Sequence, residues 1–302
     1  MGKVLKVREV GDPILGMKCS EINKSKIDLH IHTNCSDVKF MPKEIIDEAV
    51  KNGVEVISIT DHDTVKAYTD EFFNYANLKK IKIVTGVEIS TKIEKAGIHI
   101  LGYNIDINNK FLIDKLFLLR NSRHIYLKEV GDKLKKLGYV VNVDKLDKID
   151  AVTKAHIAQD IVENLKNKSK LLKEFNHIPA KGEFIEEIMN EGCIAYVKKQ
   201  TITPKEAADL IRKVGGKVVL AHPVAYKYED GLTEKDIENI VENIKPDGIE
   251  ANYIYVDRNK NKINEIEFWN NFAKKHNLEI TTGSDFHNKD GVHPEIGLRN
   301  VQ

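Results

Sequence analysis

The chain has little cysteine and no long apolar run. Cys19, Cys35 and Cys193 are its only cysteines in 302 residues, an odd number with no C-x-x-C pair. That pattern argues against a disulfide framework and fits a reducing cytoplasm. No stretch approaches the roughly 18 apolar residues of a membrane span, and residues 1–25 lack the apolar centre of a signal peptide. A dominant charge is missing too, since 47 Lys+Arg against 46 Asp+Glu leave a formal net charge of +1. No global basic field draws in extended duplex nucleic acid. A composition of 41% hydrophobic and 31% charged residues describes a soluble chain long enough for one large domain or two modest ones.

What is present is a rhythm of short β-like runs and helical segments. Ile27–His32, Val54–Thr60, Lys82–Ser90, Gly97–Tyr103, Lys217–Ala221, Gly248–Ala251 and Glu279–Thr282 read as strands. Helical patterns over Pro42–Asn52, Thr64–Ala76, Pro204–Val214, Glu234–Asn243 and Asn264–His276 separate them. Such βαβα order predicts a parallel sheet with outer helices, and this many repeats favour closure into a barrel. Residues 108–192 break the rhythm. Leu112–Leu137, His156–Leu165 and Gly182–Asn190 read as helices around a strand-like Tyr139–Val143, which predicts an inserted helical subdomain.

Two pieces near opposite ends of the chain carry chemistry. In Ile27-Asp28-Leu29-His30-Ile31-His32 the polar side chains share one strand face, because alternate residues of a strand point the same way. Ser284-Asp285-Phe286-His287 repeats the spacing. Asp37, Asp61, His62, Asp63, Glu88, His99 and His222 fall at or near the ends of other strand-like runs. Taken singly, each has an ordinary explanation as a satisfied core histidine or a turn-capping acid. Together they would bury charge that needs a partner, and divalent metals are the natural one. In a parallel barrel the strand ends meet at one rim, so these groups point to a metal cluster and to hydrolysis.

These motifs resemble the PHP (polymerase and histidinol phosphatase) family of metal-dependent phosphoesterases. The likeness rests on Asp28–His32, Thr60-Asp61-His62-Asp63-Thr64, Gly86-Val87-Glu88-Ile89-Ser90, His99–Tyr103, Ala221-His222-Pro223 and Gly283–His287, and it spans Ile27 to about Gly297. It implies a distorted (β/α)7 barrel over 27–302, interrupted by the insertion, with two or three divalent metals. Carried over by position, His30, His32, Glu88 and Asp285 would hold one metal. Glu88 would bridge to a second held by His99 and His222, and a third would lie near Asp37, His62 and His287. Mn²⁺ is the expected ion, with Fe²⁺ or Zn²⁺ as alternatives, because mixed nitrogen and oxygen ligands do not select sharply. Asp61 is the expected catalytic support, orienting a ligating histidine. Val38 stands after Asp37 where the family commonly has glycine.

Leu119-Arg120-Asn121-Ser122-Arg123 and His156-Ile157-Ala158 are similar to the substrate-binding insertion of the branch containing nucleoside 3′,5′-bisphosphate phosphatases and 5′→3′ exoribonucleases. Arg120, Arg123 and His156 are then expected to grip substrate. Thr153-Lys154-Ala155 precedes His156 where that branch usually has Arg-Pro. The implied activity is hydrolysis, by a metal-activated hydroxide, of a phosphate ester on a small nucleotide or at the 5′ end of short RNA, in the cytoplasm. Histidinol-phosphate hydrolysis and a non-catalytic, metal-stabilised interaction module are the alternatives. Val7–Leu15, in the extension 1–26, looks like the opening of peptide deformylases, but that family's His-Glu-x-x-His is missing. Deformylase activity is therefore not expected.

Overall fold

The structure is a computed structural model that describes residues 27–149, 152–198, 201–257 and 259–297. The extension 1–26, with its deformylase-like Val7–Leu15, lies outside the described residues. Ten strands are described: β1 Ile27–Ile31, β2 Val56–Ile59, β3 Lys82–Ile83, β4 Gly86–Lys92, β5 Gly97–Tyr103, β6 Lys217–Leu220, β7 Gly248–Asn252, β8 Tyr255–Val256, β9 Lys262–Ile263 and β10 Glu279–Thr282. They form a mixed α/β fold with sheets ordered β1-β2-β3, β10-β7-β6-β5-β4 and β8-β9.

The first sheet is parallel. In the second, β10, β7 and β6 are parallel, whereas β5 runs antiparallel to both β6 and β4. This corrects the all-parallel expectation. Only residues 93–96 join β4 to β5, enough for a hairpin but too few for a crossover. Nor do hydrogen-bonded strands close into one ring among the described residues. The two larger sheets meet at isolated bridges, Ile31 with Phe286 and His62 with Glu88.

Amphipathic helices cover the sheets. Ile45, Ile46 and Ala49 of the helix Pro42–Lys51 pack with Phe72 and Ala76 of Asp70–Leu78 against Ile57 and Ile59 of β2. The second of these helices begins at Asp70 rather than at the expected Thr64. Thr69 caps it by accepting the Phe72 N–H (3.1 Å). Just before the cap, Tyr68 turns inward. Its hydroxyl donates to the Ile59 carbonyl (2.6 Å) and accepts from the Gly86 N–H (2.7 Å). It thereby ties the end of β2 to the start of β4. The expected strand Lys82–Ser90 breaks here, into β3 and β4.

Two compact units divide the chain. One holds the described residues up to Asp114 and from Ile202 onward, and the other runs from Lys115 to Thr201. The second unit has its own core, in which Leu127, Val130 and Leu134 meet Ile157, Ile161, Leu171 and Phe184. Helices Lys110–Lys136, Lys154–Glu163 and Lys168–Phe175 supply most of it, and Lys181–Phe184 passes into a π turn over Ile185–Met189. No helix among the described residues is long and apolar enough to cross a membrane.

The strand expected at Tyr139–Val143 does not form. Buried Asn167 takes the place of a partner strand: its Oδ1 accepts the Val140 N–H (2.7 Å), and its Nδ2 donates to the Val140 and Ile161 carbonyls (2.8 and 3.0 Å). Asp160 accepts the Asn142 N–H in the same way (2.8 Å). Asn167→Ala should therefore destabilise the second unit by about 1–3 kcal/mol, since the Val140 N–H and C=O lose their side-chain partner and a buried amide is deleted. Urea unfolding followed by a probe in this unit checks it; an unchanged midpoint would refute the role.

Candidate metal centre

Nine side chains from the first unit converge on one cluster, most of them at or just past strand ends and two, Glu88 and His99, from inside strands. His30 comes from β1, and His32 follows one residue after it. Asp37 and His62 sit in the loops after β1 and β2, while Glu88 and His99 are the third residues of β4 and β5. His222 follows β6, and Asp285 and His287 follow β10. Ladder registry brings them together. The Ile31–Phe286 bridge sets the Asp285 and His287 loop beside β1, and the His62–Glu88 bridge sets the β2 loop beside β4.

Glu88 is the hub. Its Oε1 lies 2.9 Å from His99 Nδ1, 3.1 Å from His222 Nε2 and 3.4 Å from His30 Nε2. Its Oε2 lies 2.9 Å from His62 Nδ1 and 3.3 Å from His32 Nε2. Asp285 Oδ1 approaches His30 Nε2 (3.2 Å) and His32 Nε2 (3.1 Å), and those two nitrogens are 3.1 Å apart. On the outer side, Asp37 Oδ2 stands 3.6 Å from both His62 Nε2 and His287 Nε2, and Asp37 Oδ1 is 3.8 Å from His32 Nδ1.

The donor set fits divalent metals. Around an ion with bonds of about 2.1 Å, neighbouring ligand atoms stand about 3.0 Å apart in an octahedron and about 3.4 Å apart in a tetrahedron. The inner separations fall in that range. His62 Nδ1, His99 Nδ1 and Glu88 Oε2 are buried and make no hydrogen bond among the described residues, although each imidazole nitrogen lies 2.9 Å from a Glu88 oxygen. Close approach without hydrogen-bond geometry is what lone pairs aimed at a shared ion produce. Four groups have ligand atoms mutually within 4.8 Å: His30, His32 and Glu88; His30, His222 and Asp285; His62, Glu88 and His99; and His32, Asp37, His62 and His287. The overlap of these groups suits ions that share ligands.

Electrostatics point the same way. Burial pushes the Glu88 carboxyl up, but His99, His62 and His30 outweigh it and hold it well below the usual carboxylate range. Asp285 behaves alike, with burial opposed by His30, His287 and His32. Burial alone would lower His32, yet Asp285 and Glu88 raise it to about 10. For His99 burial wins and lowers it. Metal-free, the fold retains protons on imidazoles to balance its buried carboxylates.

The surrounding acids hold the scaffold. Asp28 shares the strand face with His30 but belongs to none of the four candidate ligand groups. Its Oδ1 accepts N–H groups of His30 (3.2 Å) and Ser284 (3.0 Å), and its Oδ2 accepts that of Gly297 (2.8 Å). Burial raises it to about 6. Asp61 accepts from Thr33 N, Thr33 Oγ1 and Ser36 Oγ, each at 2.6 Å. It thus fixes the loop between His32 and Asp37. Asp63, left-handed at φ 53°, accepts the Ser90 N–H (3.0 Å), and Asp285 is also left-handed at φ 51°. Glu250, which the sequence reading passed over, is fully buried on β7 and touches His30 Nδ1 with both oxygens, at 3.1 and 3.0 Å. A lone acid between Ile249 and Ala251 was the available signal, because alternation turns it away from its apolar neighbours. Tyr253 Oη donates to Asp285 Oδ2 (3.3 Å).

Arg120, Arg123 and His156 belong to the second unit. The two arginines are buried on Lys110–Lys136. His156 lies in the first turn of Lys154–Glu163, where its Nδ1 accepts the Thr153 N–H (3.1 Å) in a capping box.

Overlapping imidazole and carboxylate groups at the strand ends of an α/β scaffold define a metal-dependent hydrolase. Similarity to known proteins narrows this. A family model described as the PHP domain matches residues 28–216. A 5′-3′ exoribonuclease from Haemophilus influenzae is 31% identical over 270 residues, covering 87% of this chain and 90% of the relative. A 3′,5′-nucleoside bisphosphate phosphatase from Chromobacterium violaceum is 26% identical over 267 residues, covering 87% of each. An amidohydrolase structure from Chromobacterium violaceum, with bound sulfate and no metal, superposes with a TM-score of 0.71 at 23% identity, covering 89% of this chain and 90% of that one. The chain belongs to the PHP family and is a metal-dependent phosphoesterase.

Because metal must displace imidazole protons, affinity should depend on pH. His32 is raised from 6.5 to about 10. Its proton therefore stabilises the metal-free fold below pH 6.5, and that contribution is lost as pH rises through about 10. Apparent Mn²⁺ affinity should strengthen from about pH 6 to about pH 9 as displacing the proton becomes easier. Calorimetry in buffers of different ionisation enthalpy reads the released protons; none released at pH 7 would contradict this.

Proposed function

We propose that the chain hydrolyses a phosphate ester on a small nucleotide, such as a nucleoside 3′,5′-bisphosphate, or at the 5′ end of short RNA. The observation carrying the chemistry is the Glu88 carboxylate with five histidine nitrogens within 3.4 Å. The substrate class rests on the two relatives, whose names describe a 5′-3′ exoribonuclease and a 3′,5′-nucleoside bisphosphate phosphatase and which align over most of their length. Both substrates place a scissile phosphate ester near a second phosphate. The work is assigned to the cytoplasm on the cysteine pattern, and the two larger sheets are read as the distorted (β/α)7 barrel of the family.

His30, His32, Glu88 and Asp285 would hold one ion, Glu88 with His99 and His222 a second, and Asp37, His62 and His287 a third, with Mn²⁺ the expected metal and Fe²⁺ or Zn²⁺ the alternatives. When bound, divalent ions supply Lewis acidity toward phosphoryl oxygens and acidify water near neutral pH. The chain's own residues do the positioning. Asp61 fixes the loop that presents Asp37, and Asp28 fixes the segment that presents Asp285. Tyr253 steadies the Asp285 carboxylate through its hydroxyl. On the sequence resemblance, Arg120, Arg123 and His156 bind the second phosphate, a task for which the forked guanidinium is suited.

Glu88→Ala should abolish hydrolysis of every phosphoester in a panel of nucleoside 3′,5′-bisphosphate, mononucleotides, 5′-phosphorylated RNA oligomers and histidinol phosphate, assayed with Mn²⁺ and with chelator. Near-normal activity in this variant would refute the ligand assignment, and wild-type protein that binds metal yet turns over none of these phosphoesters would leave an interaction module instead. Arg123→Ala should raise KM for bisphosphates about tenfold or more while changing that for monophosphates little, as loss of a charge-assisted contact implies. Equal effects on both classes would remove Arg123 from this role.

A further inference from the structure

We infer that Glu250 is the positioning residue that sets the tautomer and aim of His30, and that Gly283 exists to make room for this pair. The inference rests on the metal-centre reading and deepens it. Both Glu250 oxygens face His30 Nδ1, at 3.1 and 3.0 Å, and Oε2 also accepts the His222 backbone N–H at 2.9 Å. One carboxylate thus grips the ring of one ligand, on β1, and the backbone of another, just after β6, although these two strands do not pair among the described residues. Both Glu250 and His30 are fully buried, so no solvent substitutes for the contact.

The chemistry is directional. A carboxylate only accepts, so it holds the imidazole proton on Nδ1 and leaves the Nε2 lone pair free. Nε2 is the atom that stands 3.4 Å from Glu88 and 3.2 Å from Asp285. The opposite tautomer would put a proton where a metal bond is needed. Gly283 completes the arrangement: a Cβ there would fall on Glu250 Oε1 and His30 Cβ, well inside van der Waals contact. Even alanine would force the two apart.

Glu250→Gln tests this with little change of shape. Because both oxygens lie about equally near Nδ1, either orientation of the amide sets an NH₂ against it. The amide oxygen opposite can still accept from Nδ1–H, but the NH₂ serves an unprotonated Nδ1 equally, so the one-sided preference for the metal-competent tautomer is lost. In the full chain, titration with Mn²⁺ or Zn²⁺ against a chromophoric chelator should show Kd raised about 10–100-fold, the usual loss when a ligand's supporting partner is removed. The metal-free variant should keep the wild-type far-UV dichroism. In the Zn²⁺-loaded wild type, ¹⁵N-histidine NMR should show His30 protonated at Nδ1 and metal-bound through Nε2, a signature that a merely structural role does not move. The reverse tautomer in the wild type overturns the proposal even if the variant fails to fold. Unchanged affinity in a folded Glu250→Gln overturns the positioning role alone, whereas wild-type protein that binds no metal overturns the metal centre together with it.

Discussion

One buried carboxylate among imidazoles is the constraint around which the first unit is arranged. Glu88 sits at the centre of five histidines. Removing charged groups from water costs several kcal/mol each unless they find partners. The assembly holds either with protons on the rings or with cations between them. The family assigns it the second state, and the ligand separations suit that state. Hydrogen bonding by itself would not account for close contacts that lack hydrogen-bond geometry.

The fold bears that constraint through a shell of acids that lie outside the candidate ligand groups. Asp28, Asp61 and Glu250 each accept two or more hydrogen bonds from the segments that carry ligands. Left-handed backbone at Asp63 and Asp285 marks the same rim, and such strain persists where surrounding structure over-determines it. Asp28 and Asp285 share the D-x-H spacing yet have different tasks. Asp28 begins its motif inside a strand and reaches backbone N–H groups, while Asp285 lies past the end of β10 and turns its carboxylate to the cluster.

Much of the first unit was legible because its strands and helices are short and strongly patterned. Gly97–Tyr103 and Glu279–Thr282 have the bounds read from the sequence, and the helices Pro42–Lys51 and Pro204–Lys213 stop within a residue of theirs. Failures came where a distant side chain replaced local structure. Asn167 satisfied the Val140 backbone within the run Tyr139–Val143, and Tyr68, just before the helix cap, bonds to Ile59 and Gly86 on distant strands. The direction of β5 followed from the shortness of its connection to β4, a signal that was in the sequence but was outweighed by the repeating pattern.

The sequence by itself determined which residue types could hold cations, because spacing two apart in a strand puts side chains on one face whatever the rest of the chain does. It also determined the family, since several such motifs in order are specific together. Only the tertiary structure decided which acids face the histidine cluster and which face backbone N–H groups. That choice depends on what approaches each carboxylate from elements up to 269 residues away, as Gly297 approaches Asp28. Glu250 was visible as a lone acid in an apolar strand, but its partners, the His30 ring on β1 and the His222 backbone after β6, were brought to it only by tertiary packing.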